Sequence, residues 1–106
     1  MSLVSLSIED LPDGPIDAAA AYYAHWAARA HTLASAAETQ LLVLIFDAGD
    51  YTHAEWRRVA VAALARTLAP RRVCAIAGGD ATARAATLAF LDRAPGVTGQ
   101  YLELAD

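Results

Sequence analysis

"CAIAGGDATARAA", Cys74 to Ala86, joins a short apolar run to an alanine-rich stretch through two glycines and an aspartate. The apolar half has the length of a buried strand, and the alanine-rich half has the composition of a helix. Between them Gly78 and Gly79 allow a sharp turn, and Asp80 stands where a helix N-cap is wanted. The same residues admit a second reading, since bare backbone amides at a helix N-terminus attract anions. Asp80 weighs against it, because its carboxylate already occupies the position a phosphate would take. Neither a G-x-G-x-x-G nor a Walker pattern is present. The stretch therefore reads as a strand-to-helix turn, and phosphate or nucleotide is expected to leave the stability of the fold unchanged.

Two more strand-to-helix units extend outward from it. "LLVLIFD", Leu41 to Asp47, is continuously apolar, the pattern of a central strand covered on both faces. "AGDYTHAEW" follows, and Thr52-His53-Ala54-Glu55 has the form of a capping box for a helix presenting Trp56, Ala60, Ala63, Leu64 and Thr67 to the core. Pro70 stops that helix. Upstream, "LVSLSIEDL" alternates, with Val4, Leu6 and Ile8 on one side, and "PDGP" (Pro12 to Pro15) breaks it. Ile16 to about Ala37 reads as one long helix with Ile16, Ala20, Tyr23, Ala27 and Ala30 as its core stripe. Downstream, the helix from Asp80 to about Arg93 turns Ala81, Ala85, Leu88 and Leu91 inward and ends at Pro95-Gly96. "TGQYLELAD" is a last strand with Leu102 and Leu104 on one face, Tyr101 and Glu103 on the other. The order β-α-β-α-β-α-β predicts one α/β domain with a four-stranded, mostly parallel sheet.

Composition agrees with this layout and removes several functions. The 106 residues are 57% hydrophobic and 19% charged, enough for one well-buried core. A net charge of −4 argues against nucleic acid or an anionic membrane as partner. All eight cations are arginines, so lysine Schiff-base chemistry and the P-loop lysine are excluded. Cys74 is the lone cysteine and sits in an apolar run, which predicts a buried, inert thiol. No run is long enough to span a membrane, and no basic region followed by an apolar block marks a signal peptide; a cytoplasmic protein is expected.

In a parallel α/β sheet, ligands gather at the carboxyl ends of the strands. Those ends offer Asp47 and Asp50 after one central strand and Gly78, Gly79 and Asp80 after the next. The three carboxylates suit a hard cation, but Asp50 and Asp80 stand where turn and cap chemistry alone would put an aspartate, so no metal and no cofactor is assigned. His25, His31 and His53 show no zinc-ligand spacing. Tyr22, Tyr23 and Trp26 form an aromatic cluster suited to packing, or to lining a pocket or partner surface. No serine has a His/Asp setting for a hydrolytic triad.

From the long helix through "LLVLIFDAGDYTHAEWRRVAVAALARTLAPRRVCAIAGGDATARAATLAFL" to "GQYLEL", about two-thirds of the chain resembles the STAS, or SpoIIAA-like, anti-sigma-factor-antagonist superfamily. The shared layout is a strand ending in Asp, a helix, an arginine-led strand ending in Gly, a helix and a last strand. The resemblance implies strands in sequential order, helices mostly on one face, and a non-enzymatic regulatory role. Regulatory members carry a phosphorylated Ser or Thr in an Asp-Ser-type motif before the second helix; here Thr52 is the hydroxyl at that place. The expected function is non-catalytic binding of a partner protein or a small apolar ligand. The alternative is a small enzyme or nucleotide-binding module using the crevice of Asp47, Asp50, Gly78, Gly79 and Asp80. With all helices on one side, the bare sheet face would need cover, which predicts a homodimer; the rival is a doubly wound sheet with helices on both faces and no such exposure.

Overall fold

The computed structural model describes residues 3–105. Its elements are β1 (Leu3–Ile8), α1 (Pro15–His25), α2 (Ala27–Ser35), β2 (Leu41–Phe46), α3 (Tyr51–Leu68), β3 (Arg72–Gly78), α4 (Ala81–Asp92) and β4 (Tyr101–Leu104). The four strands form one sheet in the order β1-β2-β3-β4, every neighbouring pair parallel. The small α/β domain and its sequential strand order are as expected, and the sheet is all parallel. In register, Leu42 lies between Val4 and Val73, and Leu44 between Leu6 and Ala75. β2 and β3 are the two central strands, which is why their runs are apolar without alternation. Burying each Leu, Val or Ile there contributes about 1.5–3 kcal/mol.

The expected single helix over 16–37 is two helices. The chain kinks at Trp26 (φ −117°, ψ −32°), which ends α1 and begins α2. No glycine or proline marks the kink; it falls where the bulky, partly buried indole packs against the core. The buried stripe is also rotated about one residue from the predicted one. Ala18, Tyr22, Ala30 and Ala34 face inward, whereas Ile16 and Tyr23 are 84% and 54% exposed. Tyr22 wins the inward position because Phe46 and Trp56 meet its ring at centroid distances of 6.2 and 5.6 Å. On α3 the cap is Asp50, not Thr52: Asp50 Oδ1 accepts from the Thr52 amide at 2.9 Å. Thr67 is likewise exposed, its hydroxyl donating to the Ala63 carbonyl.

Helices lie on both faces of the sheet. Side chains of α1, α2 and α3 join Leu6, Ile8, Leu44, Phe46, Val73 and Ala75 in one core. Leu88 and Leu91 of α4 join Leu41, Val43, Cys74 and Ile76 in a second core on the opposite face. Each crossover steps to the next strand in the same direction, so the β3–α4–β4 crossover has the opposite hand to the two before it. Right-handed crossovers throughout would have put all helices together. Two contacts hold α4 where it is. The Arg72 guanidinium donates through Nη1 to the carbonyls of Leu91, Ala94 and Val97 at 3.0, 2.8 and 3.3 Å, and Leu91 is fully buried. The bare apolar face on which the homodimer expectation rested is thus covered by α4 over β3 and β4, and Ser5 and Ser7 make it polar over β1.

Candidate functional site

Parallel pairing brings the carboxyl ends of β1, β2 and β3 to one edge. The expected site residues are divided there between two turns. After β3, Gly78 and Gly79 take φ of 75° and 77°, backbone that glycine alone enters freely. A Cβ on Gly79 would lie 2.8 Å from Leu104 Cδ1. The Gly78 carbonyl accepts from Arg84 Nε at 2.8 Å, and Asp80 Oδ1 accepts from the Ala83 amide at 2.8 Å. The turn is therefore committed to packing and capping. After β2, Asp50 is bound by the amide and the hydroxyl of Thr52. Those two bonds, with His53 nearby, hold its carboxyl below the ordinary carboxylate range. Among the described residues no group of three or more His, Cys, Asp or Glu is placed to hold a metal ion.

The open crevice lies one strand over, at the ends of β1 and β2. It has a volume of about 280 Å³, and Asp10, Asp13, Asp47, His53 and Arg57 are its polar lining. Arg57 is the unexpected member. It faces inward with Ala54, Val61 and Ala65 on α3 and is 5% exposed. Its Nη1 donates to the Asp47 carbonyl at 2.9 Å and to the Tyr101 hydroxyl at 3.1 Å. The guanidinium carbon stands 4.6 Å from the Phe46 ring centroid and 5.7 Å from that of Trp56. Nε is buried without a hydrogen-bond partner. No carboxylate within ion-pair distance of Arg57 occurs among the described residues, where the ion pair is Arg58 with Glu103 at 3.1 Å. Buried cations are ordinarily paired with a carboxylate, whereas this one is met by neutral acceptors and aromatic rings.

His53 closes another side of the crevice. Trp56 Nε1 can only donate, so its 3.3 Å contact makes Nδ1 of His53 the acceptor. Nε2 then carries the proton and donates to the Asp13 carbonyl at 2.9 Å. Both ring nitrogens are engaged, and the contact ties the β1–α1 loop to α3. Asp10 in that loop has φ 60°, a conformation aspartate tolerates better than most residues.

The structure thus brings Asp47 to the crevice and leaves Asp50 and Thr52 on its flank as a helix cap. Gly78, Gly79 and Asp80 belong to the neighbouring turn. Arg57 is not legible as a site residue in the sequence, because an arginine in "EWRRVA" reads as surface. The signal was its spacing, three residues after Ala54 and four before Val61. His53 and the loop aspartates carried no signal, because the 40-residue separation of His53 from Asp13 is closed only by the fold.

A family model described as SDR-like, short chain dehydrogenase-like protein, matches residues 6–104. No curated protein and no solved structure matches the chain. The family match overturns the STAS, SpoIIAA-like resemblance. The strand–Asp–helix and strand–Gly–helix layout behind that resemblance is common to parallel α/β units of many kinds, and the helices on both faces depart from the one-sided arrangement it implied. The chain belongs to the SDR-like family of short chain dehydrogenase-like proteins.

Proposed function

We propose that the protein is a non-catalytic binding domain whose crevice at the ends of β1 and β2 takes a small zwitterion. The observation that carries this reading is Arg57, an arginine 5% exposed with a buried, unpartnered Nε and, among the described residues, no carboxylate within ion-pair distance. Around this buried cation the crevice is lined by the exposed Asp10, Asp13 and Asp47. A ligand with a carboxylate for Arg57 and an ammonium group for the aspartates complements both charges. A simple anion would meet three like charges, and a simple cation would meet the arginine. The volume of about 280 Å³ suits a molecule the size of a small amino acid.

The family's description names a dehydrogenase, and hydride transfer calls for a nicotinamide dinucleotide. The residues do not fit one. In dinucleotide-binding α/β folds the first strand–helix turn is glycine-rich so that backbone can approach the pyrophosphate. Here that turn is Glu9-Asp10-Leu11-Pro12-Asp13-Gly14, with one glycine and two carboxylates lining the crevice. A non-catalytic role is supported by the engagement of the histidine and the hydroxyl nearest the crevice and by the burial of the cysteine elsewhere. His53 has both ring nitrogens engaged, the Thr52 hydroxyl donates to Asp50, and Cys74 lies in the core on the other face of the sheet.

Thermal unfolding with millimolar glycine, alanine or serine, against acetate and methylammonium, tests the proposal. At 100 times its Kd a ligand adds about 2.7 kcal/mol, several degrees in Tm for a domain of this size. A rise with an amino acid but not with either half-molecule is expected, and Arg57→Lys should abolish most of it. Equal Tm values in all additives overturn the reading.

A further inference from the structure

The outer surface of α3 carries a pattern that the crevice does not use. Glu55, Val59, Ala62 and Arg66 follow one another at spacings of four, three and four, and so form one stripe along the helix. Glu55 and Arg66 are exposed, Val59 is 64% exposed, and Ala62 is half-buried. Beside the stripe runs an apolar groove of about 640 Å³ between α1 and α3, lined by Ile16, Tyr23 and Trp56 among others. Three large apolar side chains, Ile16, Tyr23 and Val59, stand largely in water around that groove. Such a cluster on a small domain marks a contact surface.

We infer that the partner is a second copy of this chain, docked through α3 in antiparallel fashion. The stripe is its own complement when reversed. A two-fold axis crossing α3 between residues 60 and 61 sets Glu55 against Arg66 of the other copy at both ends. The same axis sets Val59 against the small Ala62, which permits close approach of the two helices, and antiparallel helices also oppose their dipoles favourably. Glu55 and Arg66 make no ion pair within the protomer among the described residues, so both are available. Ile16 and Tyr23 of α1 flank the helix pair and bury their exposed surface with it. An 18-residue helix is about 27 Å long. One helix with the adjoining face of α1 makes a small surface for a specific interface, so the expected dimer is weak, with a Kd on the order of micromolar.

Sedimentation equilibrium from about 5 to 500 µM tests the inference, because a micromolar Kd lies inside that range. The expected result is a mass that climbs from 11.2 kDa toward twice that value. Glu55→Arg and Arg66→Glu should each weaken association about tenfold or more, since each replaces two ion pairs by two like-charge contacts. The double variant should regain the native Kd to within about threefold. Circular dichroism of the three variants checks that the exposed swaps leave the fold intact. A native chain that stays monomeric across the range overturns the inference, and so does a double swap that fails to restore what the single swaps removed.

Discussion

Gly79 shows how one residue can be held by two independent constraints. Its φ of 77° is a region that side-chain-bearing residues enter at a cost of about 1–2 kcal/mol. Its Cα also packs so close to Leu104 that a Cβ would sit 2.9 Å from the Leu104 Cβ. Gly79→Ala should therefore destabilise the domain by about 2–4 kcal/mol, strain and overpacking together. Urea unfolding of that variant measures it; a loss under about 0.5 kcal/mol would mean the turn relaxes freely. Asp80, next in the chain, has a simpler task in capping α4, and its role was legible because an aspartate three residues before a helical amide has one usual bond to make. Asp50 and Thr52 were harder to tell apart. Both are cap-forming types two positions apart, and the extended backbone at Asp50 (φ −78°, ψ −176°) decides between them.

At the scale of the element, α1 turns on which of two adjacent tyrosines goes inside. The sequence permits either, and the ring faces of Phe46 and Trp56 select Tyr22. Burial, with a smaller push from neighbouring Tyr23, raises the Tyr22 hydroxyl to a pKa of about 12. The folded value lies above the unfolded value of about 10. Tyr22 therefore contributes stability that is whole below pH 10 and is lost as the pH rises through 12. Denaturant titrations from pH 9 to 12 should show this loss, and Tyr22→Phe should flatten it. An unchanged slope in the variant would place the effect elsewhere. The same rotation of α1 exposes Ile16 and Tyr23, so a choice made in the core also creates the apolar rim of the α1–α3 groove.

For the molecule as a whole, the decisive feature is the side of the sheet that α4 occupies. Cys74 reports on it, because its side chain points to the face shared with Leu41, Val43 and Ile76. With α4 there, Cys74 is fully buried, its Sγ donates to the Val97 carbonyl at 3.6 Å, and burial pushes the thiol pKa up. Reaction with a thiol reagent should be slower than in the denatured chain by about 10³-fold or more, and should accelerate with denaturant in step with global unfolding. Rapid labelling of the native protein would show the second face to be open. Burial of this face on both central strands also explains why their apolar runs lack alternation.

Periodicity and punctuation sufficed for the existence of the four strands and their succession along the chain, for the Gly78-Gly79 turn and for the cap at Asp80. These features are local: each depends on residues within a turn or a strand of one another. The kink at Trp26, the inward face of α1, the side taken by α4 and the crevice around Arg57 were decided only in three dimensions. Each depends on what stands opposite, whether Phe46 against Tyr22, Arg72 beneath the end of α4, or Tyr101 beside Arg57 from 44 positions away. A helix or strand carries its own hydrogen bonds, so its existence is written in its own residues. Its facing partner is chosen by packing among distant segments, and that choice exists only once the sheet has formed.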